Sequence, residues 1–311
     1  MDFSFIIPIY NRPDELQDLL TSFTEQHSPS LISYEIIIVE DGSTISSEAV
    51  AHSFNLPIRY LTQSNTGPSG ARNYGATKAE GEWLIFLDSD TILPESYMTK
   101  LQESLTKTHC DLWGGPDKAR EDFTIVQKAI NYSMTSFLTT GGIRGKEKSV
   151  DKFYPRTFNM GIRTHLFREL GGFRESMRYG EDLDLSMRAI EQGYHSSLLP
   201  EVWVYHKRRA TFTDFFKQVR HSGRARVTLN KYHPGTLRLV HVLPTLFVVG
   251  LLLSWTRLGV FILAYALAIV IDVFIKEGSL ELAGYTLVAA FVQHIGYGIG
   301  FVEQIIKMNK K

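Results

Sequence analysis

Gly81-Glu-Trp-Leu-Ile-Phe-Leu-Asp-Ser-Asp-Thr91 is the stretch that decides the fold. Trp83–Leu87 is an unbroken apolar run, long enough for a buried parallel strand and too short for a helix. It stops at two carboxylates, Asp88 and Asp90, with a single residue between them. Open α/β sheets collect ligands at the carboxyl ends of their strands. A core strand that delivers Asp-x-Asp there is a candidate holder for Mg²⁺ or Mn²⁺, hard cations that take carboxylate oxygens and leave room for phosphate. A polar turn leading into the next helix uses the same residues, so the pair alone leaves both readings open.

Upstream, Phe3–Ile9 reads as a first strand. Asn11 is expected to cap a helix with Pro13 and Asp14 in its first turn and Leu16, Leu19, Leu20 and Phe23 on one face. Residues 34–39 read as a second buried strand ending in Glu40-Asp41-Gly42-Ser43, followed by a helix over 46–53 and a strand over 58–61. Asn65-Thr-Gly-Pro-Ser-Gly-Ala-Arg-Asn-Tyr-Gly75 is a Gly-rich turn opening a helix to Ala79, with Gly81 as its C-cap. Strands and helices alternating at this length mean a parallel, doubly wound sheet. Polar groups then gather at its strand ends. Asp41 is an acceptor-only group suited to a base or ribose. Arg72 and Arg12 carry forked donors for phosphate oxygens, and the aspartates would hold the cation bridging those phosphates. Turn chemistry explains each residue singly; the joint placement favours a nucleotide diphosphate.

Downstream, residues 111–115 read as a short strand and 123–138 as a helix, running into the Gly-rich, charged loop 139–149 over the site. In Arg178-Tyr-Gly-Glu-Asp-Leu-Asp-Leu185 a helix starts near Glu181, with Leu183, Met187 and Ile190 on one face and Gly193 at its end. Acids at a helix start suit the dipole whatever their function. A strand over 201–205 precedes His206.

Phe-Ile-Ile-Pro-Ile-Tyr-Asn-Arg (5–12), Val-Glu-Asp-Gly-Ser (39–43), Asn-x-Gly-x-x-x-Ala-Arg-Asn-x-Gly (65–75) and Phe-Leu-Asp-Ser-Asp (86–90) resemble family 2 glycosyltransferases of the GT-A fold. The resemblance covers about the first two-thirds of the chain, with the motifs in the family's order. Glu40 is a departure, since Asp is commoner there. The resemblance implies a Rossmann-like, mostly parallel α/β catalytic domain, a nucleotide-diphosphate sugar donor (a UDP-sugar foremost), Mn²⁺ or Mg²⁺, and inversion. It places Pro8, Tyr10, Arg12, Glu40, Asp41, Arg72 and Asp88 at the donor. The metal falls to Asp88 and Asp90, with His206 completing the set. Asn159, Met160 and Gly161 fall on the acceptor side. Asp182 becomes the general base, with Glu181 in reserve.

Acidic and basic residues balance at 33 each over 311 residues, so no global charge argues for nucleic acid. The lone Cys110 excludes an intrachain disulfide and fits a reducing compartment. Phe3–Ile9 lacks the basic start of a signal peptide, so the front domain is expected in the cytoplasm. From His206 to Arg238 there are nine Lys or Arg against one acid, Asp214. Within that stretch Phe212, Phe215, Phe216 and Val219 alternate with Lys217, Arg220, Arg224 and Arg226, the pattern of an amphipathic helix at a membrane surface. Three apolar segments follow, over 239–256, 258–275 and 282–306, and a span needs about 20 helical residues. Two or three spans are expected, with Gly296, Gly298 and Gly300 packing on a neighbour. The basic stretch orients the front domain to the cytoplasm. The expected layout is a GT-A domain over 1–209, an interfacial helix over 210–236 and transmembrane helices over 237–311. The expected activity is sugar transfer to a lipid or polyprenyl-linked acceptor for cell-envelope polysaccharide or glycolipid. A processive polysaccharide synthase is disfavoured because Gln218-Val-Arg-His-Ser222 lacks the Arg and Trp of that group's Gln-x-x-Arg-Trp. A catalytically silent nucleotide-sugar scaffold is the other alternative, and the full acidic complement counts against it.

Overall fold

The apolar run Trp83–Leu87 lies at the middle of a seven-stranded sheet. A computed structural model describes residues 1–27, 32–120, 122–140, 153–207, 209–253 and 255–309. The chain divides into a unit of Met1–Lys118 with Ser149–His206 and a unit of Ala119–Lys148 with Lys207–Lys311.

Strand and helix alternate through β1 (Phe3–Ile9), α1 (Pro13–Thr24), β2 (Tyr34–Asp41), α2 (Glu48–His52), β3 (Ile58–Gln63), α3 (Pro68–Lys78) and β4 (Trp83–Leu87). Then come β5 (Thr91–Ile92), α4 (Tyr97–Lys107), β6 (Leu112–Gly114) and β7 (Asp117–Lys118). Two helices, α5 (Ile125–Thr135) and α6 (Phe137–Thr140), belong to the second unit. The first unit resumes with β8 (Asn159–Arg163), α7 (Thr164–Glu169), α8 (Glu181–Glu191), β9 (Ser196–Leu198) and β10 (Val204–His206).

The sheet order is β3-β2-β1-β4-β8-β6-β9, and β8 alone runs antiparallel to its neighbours. From β1 the chain goes outward to β2 on one side and β4 on the other, so the carboxyl ends of β1 and β4 flank a switch point. Side chains alternate between the faces with the period of two that a strand imposes. Phe5, Ile7, Ile38, Ile85 and Leu87 pack with Leu16 and Leu20 of α1. Ile6, Ile37, Leu84 and Phe86 pack with Ala71 of α3 and Leu185 of α8. A fully buried Leu, Ile or Phe contributes about 1.5–3 kcal/mol, so five buried residues in β4 hold its acidic end in place. A smaller sheet, β5-β10-β7, sits beyond that end.

Three local expectations fail. Asn11 does not cap α1: its backbone is left-handed at φ 53°, and Arg12 holds the cap position. The Asn11 Oδ1 instead accepts from the Thr44 and Ile45 amides at 2.7 and 2.9 Å, tying the turn after β1 to the loop after β2. Gly81 is not the cap of α3 either; Ala79 is. Gly81 passes so close to β1 that a Cβ would lie 2.6 Å from the Ser4 amide nitrogen. The helix expected over 123–138 breaks at Ser136 between α5 and α6, and most of the loop expected over 139–149 lies outside the described residues.

The second unit continues with α9 (Phe212–Tyr232), α10 (Leu239–Leu253), α11 (Trp255–Glu277) and α12 (Leu280–Asn309). Thr211 caps α9, its hydroxyl accepting from the Asp214 amide. The apolar side of α9, including Phe215, Val219 and Gly223, is buried, and much of it meets the glycine stripe of α12. A Cβ at Gly300 would sit 1.9 Å from the Arg220 carbonyl oxygen, and one at Gly296 2.5 Å from Val219 Cγ2. Gly298 points elsewhere, toward the Pro244 carbonyl of α10. Glu303 then accepts from the guanidinium groups of both Arg220 and Arg224 at 2.9 Å. Small residues permit such close helix approach, with van der Waals contact and ion pairs completing it. Gly300→Val is therefore expected to cost at least about 1–3 kcal/mol by overpacking. Gly284→Val on the same helix, where a Cβ meets nothing within 4 Å, is the control. Melting of the detergent-solubilised protein measures both, and equal melting points would contradict the packing.

By length and composition, Gly259–Glu277 of α11 and Leu280–Asn309 are apolar enough to cross a membrane; α10 is shorter. Val260, Phe261, Leu263 and Ile275 of α11 stand largely exposed.

Candidate active site

Asp88 and Asp90 leave the end of β4 as its apolar run stops. His206 is the last residue of β10, which pairs antiparallel with β5 so that His206 stands opposite Thr91. That pairing brings the histidine to the aspartates: Nε2 lies 3.1 Å from Asp90 Oδ1. One ligand atom from each of Asp88, Asp90 and His206 falls within 4.8 Å of the other two. Two carboxylates and an imidazole, partly buried at a strand end, are a donor set that fits Mn²⁺ or Mg²⁺.

Arg72, in the second turn of α3, is 4% exposed and bridges two acids. Its Nη2 donates to Asp88 Oδ1 at 2.6 Å and its Nη1 to Glu181 Oε1 at 2.9 Å. Burial disfavours its charge, but Asp88 and Glu181 outweigh that and keep it cationic. One guanidinium thus joins the end of β4 to the start of α8. Glu181, Asp182 and Asp184 fill the first turn of that helix, where unpaired amides and the dipole favour carboxylates. Asp184 is fully buried and paired with Arg188 and Arg174, a packing role. Asp182 Oδ1 accepts from the Leu183 amide at 2.8 Å, and Arg156 Nη1 stands 3.3 Å from its Oδ2.

Burial pushes the Glu181 carboxyl up to about 7, with the Asp182 charge adding and Arg72 opposing. The folded state therefore holds this proton between the ordinary value of 4.5 and about 7, where the unfolded chain has lost it. Stability from this group falls as pH rises through that window and is level above it. In chelator, wild type should lose stability relative to Glu181→Gln from about pH 5 to 7, read as the difference in melting temperature. A pH-independent difference would contradict the shift.

The expected donor residues divide into two sets. Tyr10 and Arg12 are half-exposed beyond the end of β1, where Arg12 pairs with Glu15. Pro8 lies within β1. Glu40 is buried and accepts from Tyr60, Ser46 and Ser47. Burial works to raise its carboxyl, but those bonds prevail and hold it below the usual range. Asp41 accepts from the Thr66 and Gly67 amides at 2.8 Å each and from Gln63 Nε2 at 2.7 Å. Its carboxylate shapes the Gly-rich loop, where Gly67 takes φ 86°. A cavity of about 250 Å³ opens beside that loop, lined by Asn65, Ser69, Glu175 and Arg178 among others.

Asn159, Met160 and Gly161 are all buried in β8. Asn159 donates to the Val202 carbonyl and accepts from Tyr97, both at 2.7 Å, and Gly161 lies under the Trp113 ring. An acceptor-side role for these three would act through the strand they build. Arg156 beside Asp182, and Asp117 beside His206, carry no pattern in the sequence that marks them.

Residues 4–171 match the family model described as Glycosyl transferase family 2. Glycosyltransferase AglE of Haloferax volcanii is 26% identical over 254 residues, 80% of this chain and 81% of that one. Succinoglycan biosynthesis protein ExoA of Rhizobium meliloti is 22% identical over 318 residues, 98% of this chain and 96% of its own. Among solved structures, the mannosyltransferase PcManGT from Pyrobaculum calidifontis in complex with GDP-Man and Mn²⁺ aligns at TM-score 0.61 and 16% identity, covering 98% of this chain and 87% of that one. S. aureus TarS 1–349 in complex with UDP aligns at 0.52 and 18%, covering 99% and 92%. At these identities the structural likeness speaks for the fold, an α/β GT-A-like unit followed by helices. With the family model covering more than half of its length, the chain belongs to glycosyl transferase family 2 and is a glycosyltransferase.

Proposed function

We propose that the chain moves a sugar from a nucleotide-diphosphate donor, with inversion, to a lipid or lipid-linked saccharide at a membrane, in cell-envelope polysaccharide or glycolipid synthesis. The observation that carries this reading is the convergence of Asp88, Asp90 and His206, joined through Arg72 to the acidic start of α8. GDP-Man with Mn²⁺ in one structural relative, UDP in another and a polysaccharide-synthesis protein among the sequence relatives support it. The two helices apolar enough to cross a membrane support a lipid-borne acceptor.

In this reading Asp88, Asp90 and His206 Nε2 hold the divalent cation, which when bound supplies Lewis-acid stabilisation to the departing diphosphate. Arg72 orients Asp88 through the hydrogen bond from its Nη2. Tyr10, Arg12 and the loop shaped by Asp41 receive the nucleotide. Asp182 accepts the proton of the acceptor hydroxyl as that oxygen bonds to the anomeric carbon. The bond from that carbon to the diphosphate oxygen breaks with its electron pair leaving on the diphosphate. One displacement inverts the centre, and no enzyme nucleophile is needed.

The test is a screen of nucleotide sugars with Mn²⁺ and total membrane lipid, with products extracted into organic solvent and weighed by mass spectrometry. A lipid heavier by one sugar is expected. A ladder of long glycans would favour the processive synthase, and no product from any donor would favour the silent scaffold.

A further inference from the structure

We propose that Asp117 is a positioning residue for His206, holding the imidazole in the tautomer and orientation that turn Nε2 toward the metal site. The proposal rests on the assignment of Asp88, Asp90 and His206 as metal ligands. His206 ends β10, and β10 lies parallel to β7 with Val204 opposite Asp117. That pairing sets the Asp117 side chain beside the histidine ring from the side away from β5. Asp117 Oδ2 lies 3.5 Å from His206 Nδ1, while Nε2 lies 3.1 Å from Asp90 Oδ1. The two ring nitrogens thus face two different carboxylates. Phe158 stacks on the ring at 4.9 Å between centroids and 22° between planes, which restrains its flip. Both side chains are more than four-fifths buried, at 13% exposure for His206 and 18% for Asp117.

A neutral imidazole has one N–H and one lone pair, and only the lone pair binds a cation. A carboxylate facing Nδ1 attracts the hydrogen to that nitrogen and repels a lone pair there. Asp90 faces Nε2 in the same way. A cation held between Nε2 and the Asp90 and Asp88 carboxylates, however, would take the Nε2 lone pair, leaving Asp117 as the carboxylate that receives the ring N–H. Carboxylates acting this way fix the ring and raise its basicity as a ligand, and their loss typically weakens metal affinity about 10–100-fold. Asp117 reaches this position through two short strands that lie far apart in the chain, so no local motif announces it.

The experiment is Mn²⁺ binding to the purified full-length protein without donor, followed by the loss of the free-ion paramagnetic resonance signal. Wild type, Asp117→Ala, the isosteric Asp117→Asn, His206→Ala and the Asp117→Ala/His206→Ala double variant are compared. Asp117→Ala is expected to bind about 10–100-fold more weakly, and Asp117→Asn, which keeps an acceptor oxygen, less so. The double variant should bind no more weakly than His206→Ala, because Asp117 acts through that ring. Affinity within twofold of wild type for both single Asp117 variants would overturn the proposal. So would losses that add in the double variant, which is what a general structural role produces. Absence of Mn²⁺ binding by wild type is a different result, which overturns the metal assignment itself.

Discussion

Asp182→Asn is expected to lower turnover by about 10²–10⁴-fold while Mn²⁺ and nucleotide affinities stay near wild type. Asn matches the carboxylate in volume and still accepts from the Leu183 amide, so the start of α8 should keep its shape. What it cannot do is take a proton. The bond network around the site isolates that loss. Asp182 is 8% exposed, and the hydrogen-bonded bridge from the metal cluster to α8 runs through Arg72 and Glu181. Steady-state rates together with nucleotide binding separate the two effects. Turnover that survives in Asp182→Asn would remove it as the base and pass the role to Glu181, whose carboxyl is already pushed up to about 7.

Asp90→Ala is expected to remove Mn²⁺-dependent activity, a loss of at least about 100-fold, since it deletes a proposed direct ligand where even supporting carboxylates are worth about 10–100-fold. Asp90 is 8% exposed and faces His206 Nε2, so its removal also strips the histidine of its neighbour on the metal side. Asp88→Ala should do further damage by a second route. It leaves the buried Arg72 with Glu181 as its hydrogen-bonded acid, a partial unpairing that costs less than the about 3–5 kcal/mol of a buried charge left without any partner. Asp90→Ala should therefore melt near wild type in chelator, whereas Asp88→Ala should melt lower. Full activity of wild type in chelator would remove the cation from the reaction.

The central strands are legible in the sequence because burial on both faces forces continuous apolar runs, and Asp88 and Asp90 stand out because they interrupt one. The start of α8 is legible for a similar reason: three acids abut a helical apolar stripe. Contacts made across the chain leave less trace. Asn11 carries the composition of a helix cap, yet its partners lie in the loop after β2, over thirty residues away. Gly81 has the place of a C-cap, but the constraint on it is the approach of β1. β7 and β10 are two and three residues long, too short for any periodicity, so Asp117 leaves no signal and His206 rests on resemblance. In the second unit, spacing marks the glycines of α12, whereas their division between α9 and α10 depends on how the three helices pack.

The most direct test of the catalytic proposal is the anomeric configuration of the sugar in the first product, read by proton coupling in nuclear magnetic resonance. A single displacement with Asp182 as base yields the configuration opposite to that of the donor. Retention would require two displacements or a different attacking geometry, and would contradict Asp182 as the base of a single inverting displacement.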